Sequence, residues 1–414
     1  MIEKIEADIG MFADIKIRAI NKLKIFILLS MAIILNACST IQYGVREDVK
    51  PIMAKYEVRE SQLLNVSIKQ FEPGELPKDE DDKRGLSEEI RNSEARYMPI
   101  HLKHTMQRTG YWGNVRVIPD DNEASEVIVK GKILNSDGEK IEIKIEVSDA
   151  ANKKWFSKSY NETVSADQHK ITEIEKKDRF QNLYNQISND IIEKRLQIKS
   201  AEIKRIKEIA EIRFANFIAP EIFSSYMDKD KQGKIVLKKL PSQNDSMLIR
   251  VQAVKARDEM LVDTINNYYD IYYSEIWESY DNWRKYRSEE LKTIRENENK
   301  ALTQKLLGAA AIIGAIALSA SKNSDVVERT DLLRTVMIAG GGYAVYSGIQ
   351  TSKESEINKE AIEELGASFE SEVEPVLIDV NGKTMVLTGT ADQQYEKWRR
   401  LLKEIYVNET GFAE

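Results

Sequence analysis

The spacing of apolar residues between positions 63 and 165 predicts an α+β domain. In the stretch that begins at Leu64 every second residue is apolar, which is the period of a half-buried strand. A helix is predicted from about Ser87 to Thr109, because apolar residues then recur every three or four positions. Gly110 should end this helix, and Pro99 should kink or split it.

Four further strands are predicted after this helix. They begin near Val115, Val127, Ile141 and Lys154. Asp137-Gly138 is a preferred two-residue connection of a β-hairpin, and Asp149 to Asn152 forms a second turn. This order of one strand, one helix and four strands predicts a helix packed on a mainly antiparallel sheet.

Residues 166–300 are predicted to form a long helical hairpin. Two helical patterns are separated by Pro220, and the second begins near Asp245. If it is unbroken, the arm reaches about 60 Å. The two helices are expected to pair antiparallel, each burying its apolar stripe on the other. The second helix is unusually aromatic, which fits core packing or, alternatively, a membrane-interface belt or a partner surface. The additional aromatic residues are Tyr269, Tyr273, Trp277 and Tyr286.

Two uncharged segments, Leu306 to Ala320 and Thr335 to Ile349, predict a Gly-rich helical hairpin over 301–351. Small residues four positions apart form a groove along a helix, which allows close helix packing. These residues are Ala311 and Ala315 in the first segment, and Gly340, Ala344 and Gly348 in the second. Each segment is about 22 Å long as a helix, shorter than the roughly 30 Å core of a bilayer. Packing against the domain or a second copy, and membrane insertion, are both open.

The last unit, 352–414, is predicted to be a helix, a hairpin and a helix. Asn381-Gly382 is a strong two-residue turn signal. Thr390 and Gln393 have the spacing of a capping box, so the final helix should begin there.

The amino terminus predicts a secretory signal peptide over residues 1–37. Basic residues between Lys16 and Lys24 precede an apolar run from Ile25 to Leu35, which is too short to span a bilayer. The first ten residues are acidic, so Met11 is an alternative start to Met1. The sequence Leu35-Asn36-Ala37-Cys38 then resembles the lipobox of bacterial lipoproteins.

This resemblance implies that diacylglycerol is attached to the Cys38 thiol and that the signal is cut after Ala37. Residues 38–62 would then be a lipidated tether. In that family, Asp after the cysteine favours retention in the inner membrane. Ser39 occupies this position, so the resemblance implies the periplasmic side of the outer membrane.

Three further resemblances concern the folded parts. The helix ending in Thr109-Gly110, the strand from Val127 to Gly131 and the later hairpin are similar to the amino-terminal domain of TolB, a fold class shared with LpoB- and CsgG-type lipoproteins. This implies a protein-binding domain without an active site. The apolar pair resembles a glycine-zipper hairpin, and residues 352–414 are loosely similar to a BON domain.

Composition narrows the chemistry. The 414-residue chain has a net charge of −7, which argues against nucleic acid as a partner, and its single cysteine excludes an internal disulfide. Its only histidines are His101, His104 and His169; the first two could be metal ligands but lack a clear third ligand. We therefore expect no metal, no cofactor and no enzyme activity.

Together these patterns predict a non-enzymatic outer-membrane lipoprotein that acts as an envelope scaffold or assembly factor. Its expected partners are membrane lipid, through Cys38, and another envelope protein. The alternative is a membrane-inserting, oligomeric transport or pore accessory built on the Gly-rich hairpin.

Overall fold

Five strands form one mixed sheet in the computed structural model, which describes residues 48–78, 86–119, 122–166, 177–242, 244–319, 357–367, 376–380 and 383–410. The strands are β1 (Leu64–Lys69), β2 (Trp112–Ile118), β3 (Val127–Ser136), β4 (Lys140–Asp149) and β5 (Lys154–Thr163). Their order across the sheet is β2-β1-β3-β4-β5. Residues 1–47 make a separate unit from 48–414 and lie outside the described residues.

The α+β class is confirmed, whereas the sheet is mixed and not mainly antiparallel. Strand β1 lies between β2 and β3 and pairs parallel with both, and only β3-β4 and β4-β5 are antiparallel. The reason is the long connection from β1 to β2, which contains a helix and returns the chain to the same end of the sheet. Alternation of apolar residues identifies the buried face of a strand but not its direction.

Helix α1 (Glu88–Gln107) connects β1 and β2. The Ser87 hydroxyl caps its start by accepting from Ile90 N at 3.2 Å, and Gly110, with φ +75°, follows its end as predicted. Pro99 lies inside the helix without splitting it. Proline has no N–H for the Ala95 carbonyl, and Phe71 N donates to that carbonyl instead, at 3.0 Å.

The predicted long arm is a series of elements that pack on the sheet domain. They are α2 (Gln181–Leu196), α3 (Ser200–Ile218), α4 (Pro220–Phe223), the two-stranded ribbon β6 (Met227–Lys229) and β7 (Ile235–Leu237), and α5 (Ser246–Ser319). A three-residue break separates α2 from α3. Helix α2 packs on α1 and β5, while α5 packs on α1, β2 and α3.

Helix α5 is 74 residues long, or about 110 Å. It begins where predicted, because Asp245 accepts from Met247 N and Leu248 N at 2.9 and 3.1 Å. It continues without interruption through the predicted boundary at 300, so the first apolar segment extends this helix up to Ser319. None of the helices within the described residues is long and apolar enough to cross a membrane.

The carboxyl-terminal elements are helix α6 (357–367), hairpin β8 (Val376–Val380) and β9 (Lys383–Leu387), and α7 (Ala391–Thr410). Val380 and Lys383 are opposite each other, which confirms the predicted two-residue connection. The capping box is also confirmed, with reciprocal bonds of 3.2 and 3.3 Å between Thr390 and Gln393. The apolar face of α7 packs on α5.

Strand β2 lies at the edge of the sheet, and a side chain of α5 forms hydrogen bonds with backbone groups on its open side. The Asn266 amide accepts from Val117 N and donates to Val117 O, both at 2.9 Å, as a neighbouring strand would. Beside it, Arg116 donates two bonds to Asp263, at 2.6 and 2.9 Å. The long helix therefore closes one end of the sheet.

We expect Asn266→Ala to lower the free energy of unfolding by about 3 kcal/mol, because it leaves the buried edge groups of Val117 without partners. Urea unfolding followed by circular dichroism measures this change. The exposed neighbour is the matched control: Asn267→Ala should change stability by about 0.5 kcal/mol or less. Equal effects of the two substitutions would contradict the role assigned to Asn266.

Candidate functional site

Most residues predicted to act at the membrane lie outside the described residues. These are Leu35, Ala37, Cys38 and Ser39 at the lipobox, and Gly340, Ala344 and Gly348 in the second apolar segment. His169, the third histidine of the chain, also lies outside the described residues. Ala311 and Ala315 are described as part of the α5 backbone, four residues apart and therefore about one turn apart. The lipid site and the complete Gly-rich hairpin remain predictions.

The structure separates the two histidines that were considered as metal ligands. His101 is buried and contacts Tyr273 and Gln181, whereas His104 is half-buried and donates to Asp270 at 2.9 Å. Within the described residues no group of three or more metal-ligating side chains is present.

The structure instead brings together a set of polar and aromatic side chains that sequence reasoning did not connect. We call this set the buried cluster. It comprises Glu94, Tyr97 and His101 of α1, Asp178 and Gln181 at the start of α2, and Tyr273, Tyr280 and Arg284 of α5. Three separate parts of the chain therefore meet at one point.

An ion pair between Arg284 and Asp178 forms the centre of the buried cluster. The guanidinium donates to both carboxylate oxygens, at 2.8 and 3.4 Å, and both side chains are fully buried. Asp178 also accepts from Tyr97 OH and from Phe180 N, at 2.9 and 2.8 Å. Although burial opposes ionisation, the charge of Arg284 holds the pKa of Asp178 well below its usual range.

Aromatic rings surround the charge of Arg284. Its guanidinium carbon lies 4.2 Å from the centre of the Tyr280 ring and 5.4 Å from that of Phe180. These ring faces stabilise the cation in the absence of water. Tyr280 OH donates in turn to Glu94, at 2.8 Å, and burial raises the pKa of that carboxyl. Arg91 pairs with Glu94 at 3.2 Å, so both buried carboxylates lie next to a guanidinium.

His101 is held in one tautomer. Its Nε2 lies 3.0 Å from Oε1 of the Gln181 side-chain amide, which can only accept a hydrogen bond. Its Nδ1 lies 2.7 Å from Tyr273 OH. Nε2 therefore carries the proton, and Nδ1 accepts from Tyr273. Burial lowers the pKa of His101 to about 4, so the ring is neutral at pH 7.

Beyond the buried cluster, α5 contacts the β3–β4 turn. A Cβ on Gly138 would lie 2.8 Å from the Cβ of Arg287, so this turn needs glycine for close approach as well as for its φ of +91°. Arg295 then donates two bonds to Glu139, at 2.6 and 2.8 Å. From Glu296 to Lys300 the described side chains are exposed, and the helix continues to Ser319.

A third buried carboxylate, that of Asp258, attaches the final helix to α5. Asp258 accepts from the Trp398 indole at 3.1 Å and from the Asn122 amide at 3.2 Å. Burial raises the pKa of Asp258. Arg399 adds a pair with Glu123, and its guanidinium lies 3.8 Å from the centre of the Phe217 ring. Helix α7 is thus joined to the same long helix as the sheet.

These contacts determine what the arrangement can do. Both ring nitrogens of His101 are occupied by protein groups, and the side chains of Tyr97, Asp178 and Arg284 are buried. The physical role of the buried cluster is to fix α5 on the domain. The candidate interaction site is therefore the surface that α5 presents, including the part that extends beyond Arg295.

Sequence reasoning noted the aromatic density of α5 but missed its polar partners. Tyr273 and Trp277 contact the rings of Tyr97 and His101, which confirms core packing for these two side chains. The pairing of Asp178 with Arg284 could not be predicted, because the two residues are 106 positions apart and no local sequence pattern links them.

Comparisons with family models, with curated proteins and with solved structures found no match for this chain. The resemblances to TolB-type, glycine-zipper and BON modules therefore rest on the residues named above.

We expect His101 to make the protein less stable in mild acid. Its folded pKa of about 4 is below its unfolded value of about 6.5, so its contribution is complete above pH 6.5 and is lost as pH falls toward 4. The loss is on the order of 3 kcal/mol. Urea unfolding between pH 7 and pH 4 measures it.

The variant His101→Asn lacks this titrating group and should show a smaller pH dependence than the wild type over that range. His104→Asn, one turn away and half-buried, should keep most of the wild-type slope because His101 is intact. If His101→Asn retains the full slope, another group is responsible.

Proposed function

We propose that this chain is a non-enzymatic lipoprotein of the bacterial outer membrane, anchored through Cys38, that acts as an envelope scaffold or assembly factor. In this proposal the domain is a rigid platform, and helix α5 presents an interaction surface to another envelope protein.

The observation that carries the proposal is the lipobox-like sequence Leu35 to Cys38, placed shortly before a unit that begins at Asp48. Ten extended residues reach at most about 35 Å. A lipid on Cys38 would therefore keep the platform close to the membrane surface, where a partner in the envelope is accessible.

The way in which α5 is held supports the second half of the proposal. Three buried contacts fix α5: the ion pair of Arg284, the bonds of Asn266 to the β2 backbone, and the bond of Asp258 to Trp398. A helix that only carried solvent-exposed charge would not need them. Fixing the orientation of a long helix is useful if its surface must meet a partner in one geometry.

The alternative is a membrane-inserting, oligomeric transport or pore accessory. The continuity of α5 into the uncharged segment Leu306 to Ser319 favours it, because an apolar helical end can enter a bilayer or pack on other copies. The second apolar segment would complete the inserted hairpin.

Lipid attachment is tested first. Cys38→Ser should abolish labelling by a fatty-acid analogue and leave the precursor uncut, because serine oxygen cannot replace sulfur in the thioether. The wild-type mature chain should begin at Cys38 and fractionate with the outer membrane, and Ser39→Asp should shift it toward the inner membrane. Wild-type protein that takes up no label would contradict the anchor.

The two functions are separated by a second experiment. A photo-crosslinking residue in place of the exposed Glu296 should capture a specific envelope protein in intact cells, and the same residue at the exposed Lys204 of α3 is the control. The scaffold proposal expects a chain without residues 1–38, which carries neither the lipid nor the apolar signal, to remain outside membranes. Partition of that chain into vesicles, with no specific adduct at Glu296, would favour insertion instead.

A further inference from the structure

One face of α5 is exposed and carries no charge. We call it the α5 stripe, and it consists of Ile249, Ala253, Ala256, Met260, Thr264, Asn267 and Ile271. Its three large apolar side chains are well exposed: Ile249 by 52%, Met260 by 68% and Ile271 by 53%. The outer face of a surface helix is normally rich in charge, so this stripe is unusual in a chain with 31% charged residues.

The α5 stripe lies opposite the face that packs on the domain. Val254, Asp258 and Ile265 are buried, and at 100° per residue they lie roughly 120° to 180° around the helix from Met260. The stripe therefore points away from the domain core. A second helix can approach it without first displacing the residues that hold α5 in place.

The sequence of the α5 stripe is nearly symmetric about Met260. Ile249 and Ile271 each lie eleven residues from Met260, which is close to three full turns, so the three side chains share one line. Ala256 and Thr264 each lie four residues away. Reversing the direction of the helix about Met260 therefore exchanges the two isoleucines and leaves Met260 in place, with Ala, Thr and Asn between them.

We propose that two copies of this chain pair through the α5 stripe as antiparallel helices, with a two-fold axis at Met260. In this arrangement Met260 meets Met260 of the second copy, and Ile249 meets Ile271 at both ends. The small residues between them allow the helices to approach closely. The pairing uses a surface distinct from the Gly-rich hairpin and does not depend on membrane anchoring.

Charge favours the antiparallel direction over the parallel one. In a parallel pair, the charges that flank the stripe, such as Arg250 and Asp263, would each lie at the same level as their own copies. In the antiparallel pair the copies are offset along the axis, by about 30 Å for Arg250 and by about 9 Å for Asp263. The antiparallel order also opposes the two helix dipoles.

The length of the stripe sets the expected strength of the pairing. From Ile249 to Ile271 the helix rises about 33 Å. Two helices in contact over that length bury on the order of 1,000 Å², the lower end of specific interfaces. We therefore expect a weak dimer, which forms at raised protein concentration and is captured well by crosslinking.

Thiol crosslinking tests the geometry directly. The full chain carrying Cys38→Ser has no other cysteine, so a single new thiol reports one position. Met260→Cys should form a disulfide-linked dimer under mild oxidation. Ile249→Cys alone should not, because its copy lies about 33 Å away, whereas a mixture of Ile249→Cys and Ile271→Cys chains should crosslink.

Sedimentation velocity tests the energetics on the same full chain. Met260→Glu should weaken dimerisation on the order of a hundredfold, since the substitution occurs twice at the axis. Lys204→Glu, at an exposed position of α3 away from the stripe, is the control and should leave dimerisation largely unchanged. Circular dichroism should show that both variants keep the wild-type helix content.

Three results would overturn the proposal. A chain that stays monomeric at high concentration and gives no crosslink at Met260→Cys has no such pairing. Efficient crosslinking of Ile249→Cys alone would show a parallel pair. A dimer that persists unchanged in Met260→Glu would place the contact on another surface, and none of these outcomes bears on lipid attachment at Cys38.

Discussion

The buried ion pair between Arg284 and Asp178 determines how three parts of the chain must pack together. Two fully buried charges are tolerated only if each is paired and hydrogen-bonded, since removing one partner of such a pair typically costs about 3–5 kcal/mol. Tyr97, Phe180 and Tyr280 supply the remaining contacts, and they come from different parts of the chain. Helix α1, the start of α2 and α5 must therefore meet in one register, because a shift of any of them would leave a charge unmatched.

Helix α5 supplies what the sheet and the final helix lack on their own. The sheet has an edge at β2, and Asn266 pairs with its Val117 backbone. Helix α7 is amphipathic and needs a surface on which to bury Trp398. Helix α5 provides that surface, and its Asp258 accepts a hydrogen bond from the indole. Because one helix performs both tasks, the sheet domain and the carboxyl-terminal helix belong to one packing unit, although composition suggested separate modules.

Local features of this structure could be predicted from the sequence, because local chemistry determines them. The capping box at Thr390, the turn at Gly138 and the end of α1 at Gly110 each depend on a few adjacent residues. Strand direction, the role of Asn266 and the partner of Arg284 depend on residues that are distant in sequence, and no periodicity encodes them. The boundary near 300 failed for another reason: composition changes there, but backbone hydrogen bonding continues through it.

The length of α5 has a mechanical consequence. The helix is held up to Arg295 and extends 24 residues further to Ser319, or about 36 Å. A rod of that length acts as a lever, so a tilt of about 10° where it is held displaces its far end by roughly 6 Å. Small rearrangements among Arg284, Glu139 and their neighbours are thus amplified at the apolar end, where a displacement of that size spans a full helical turn.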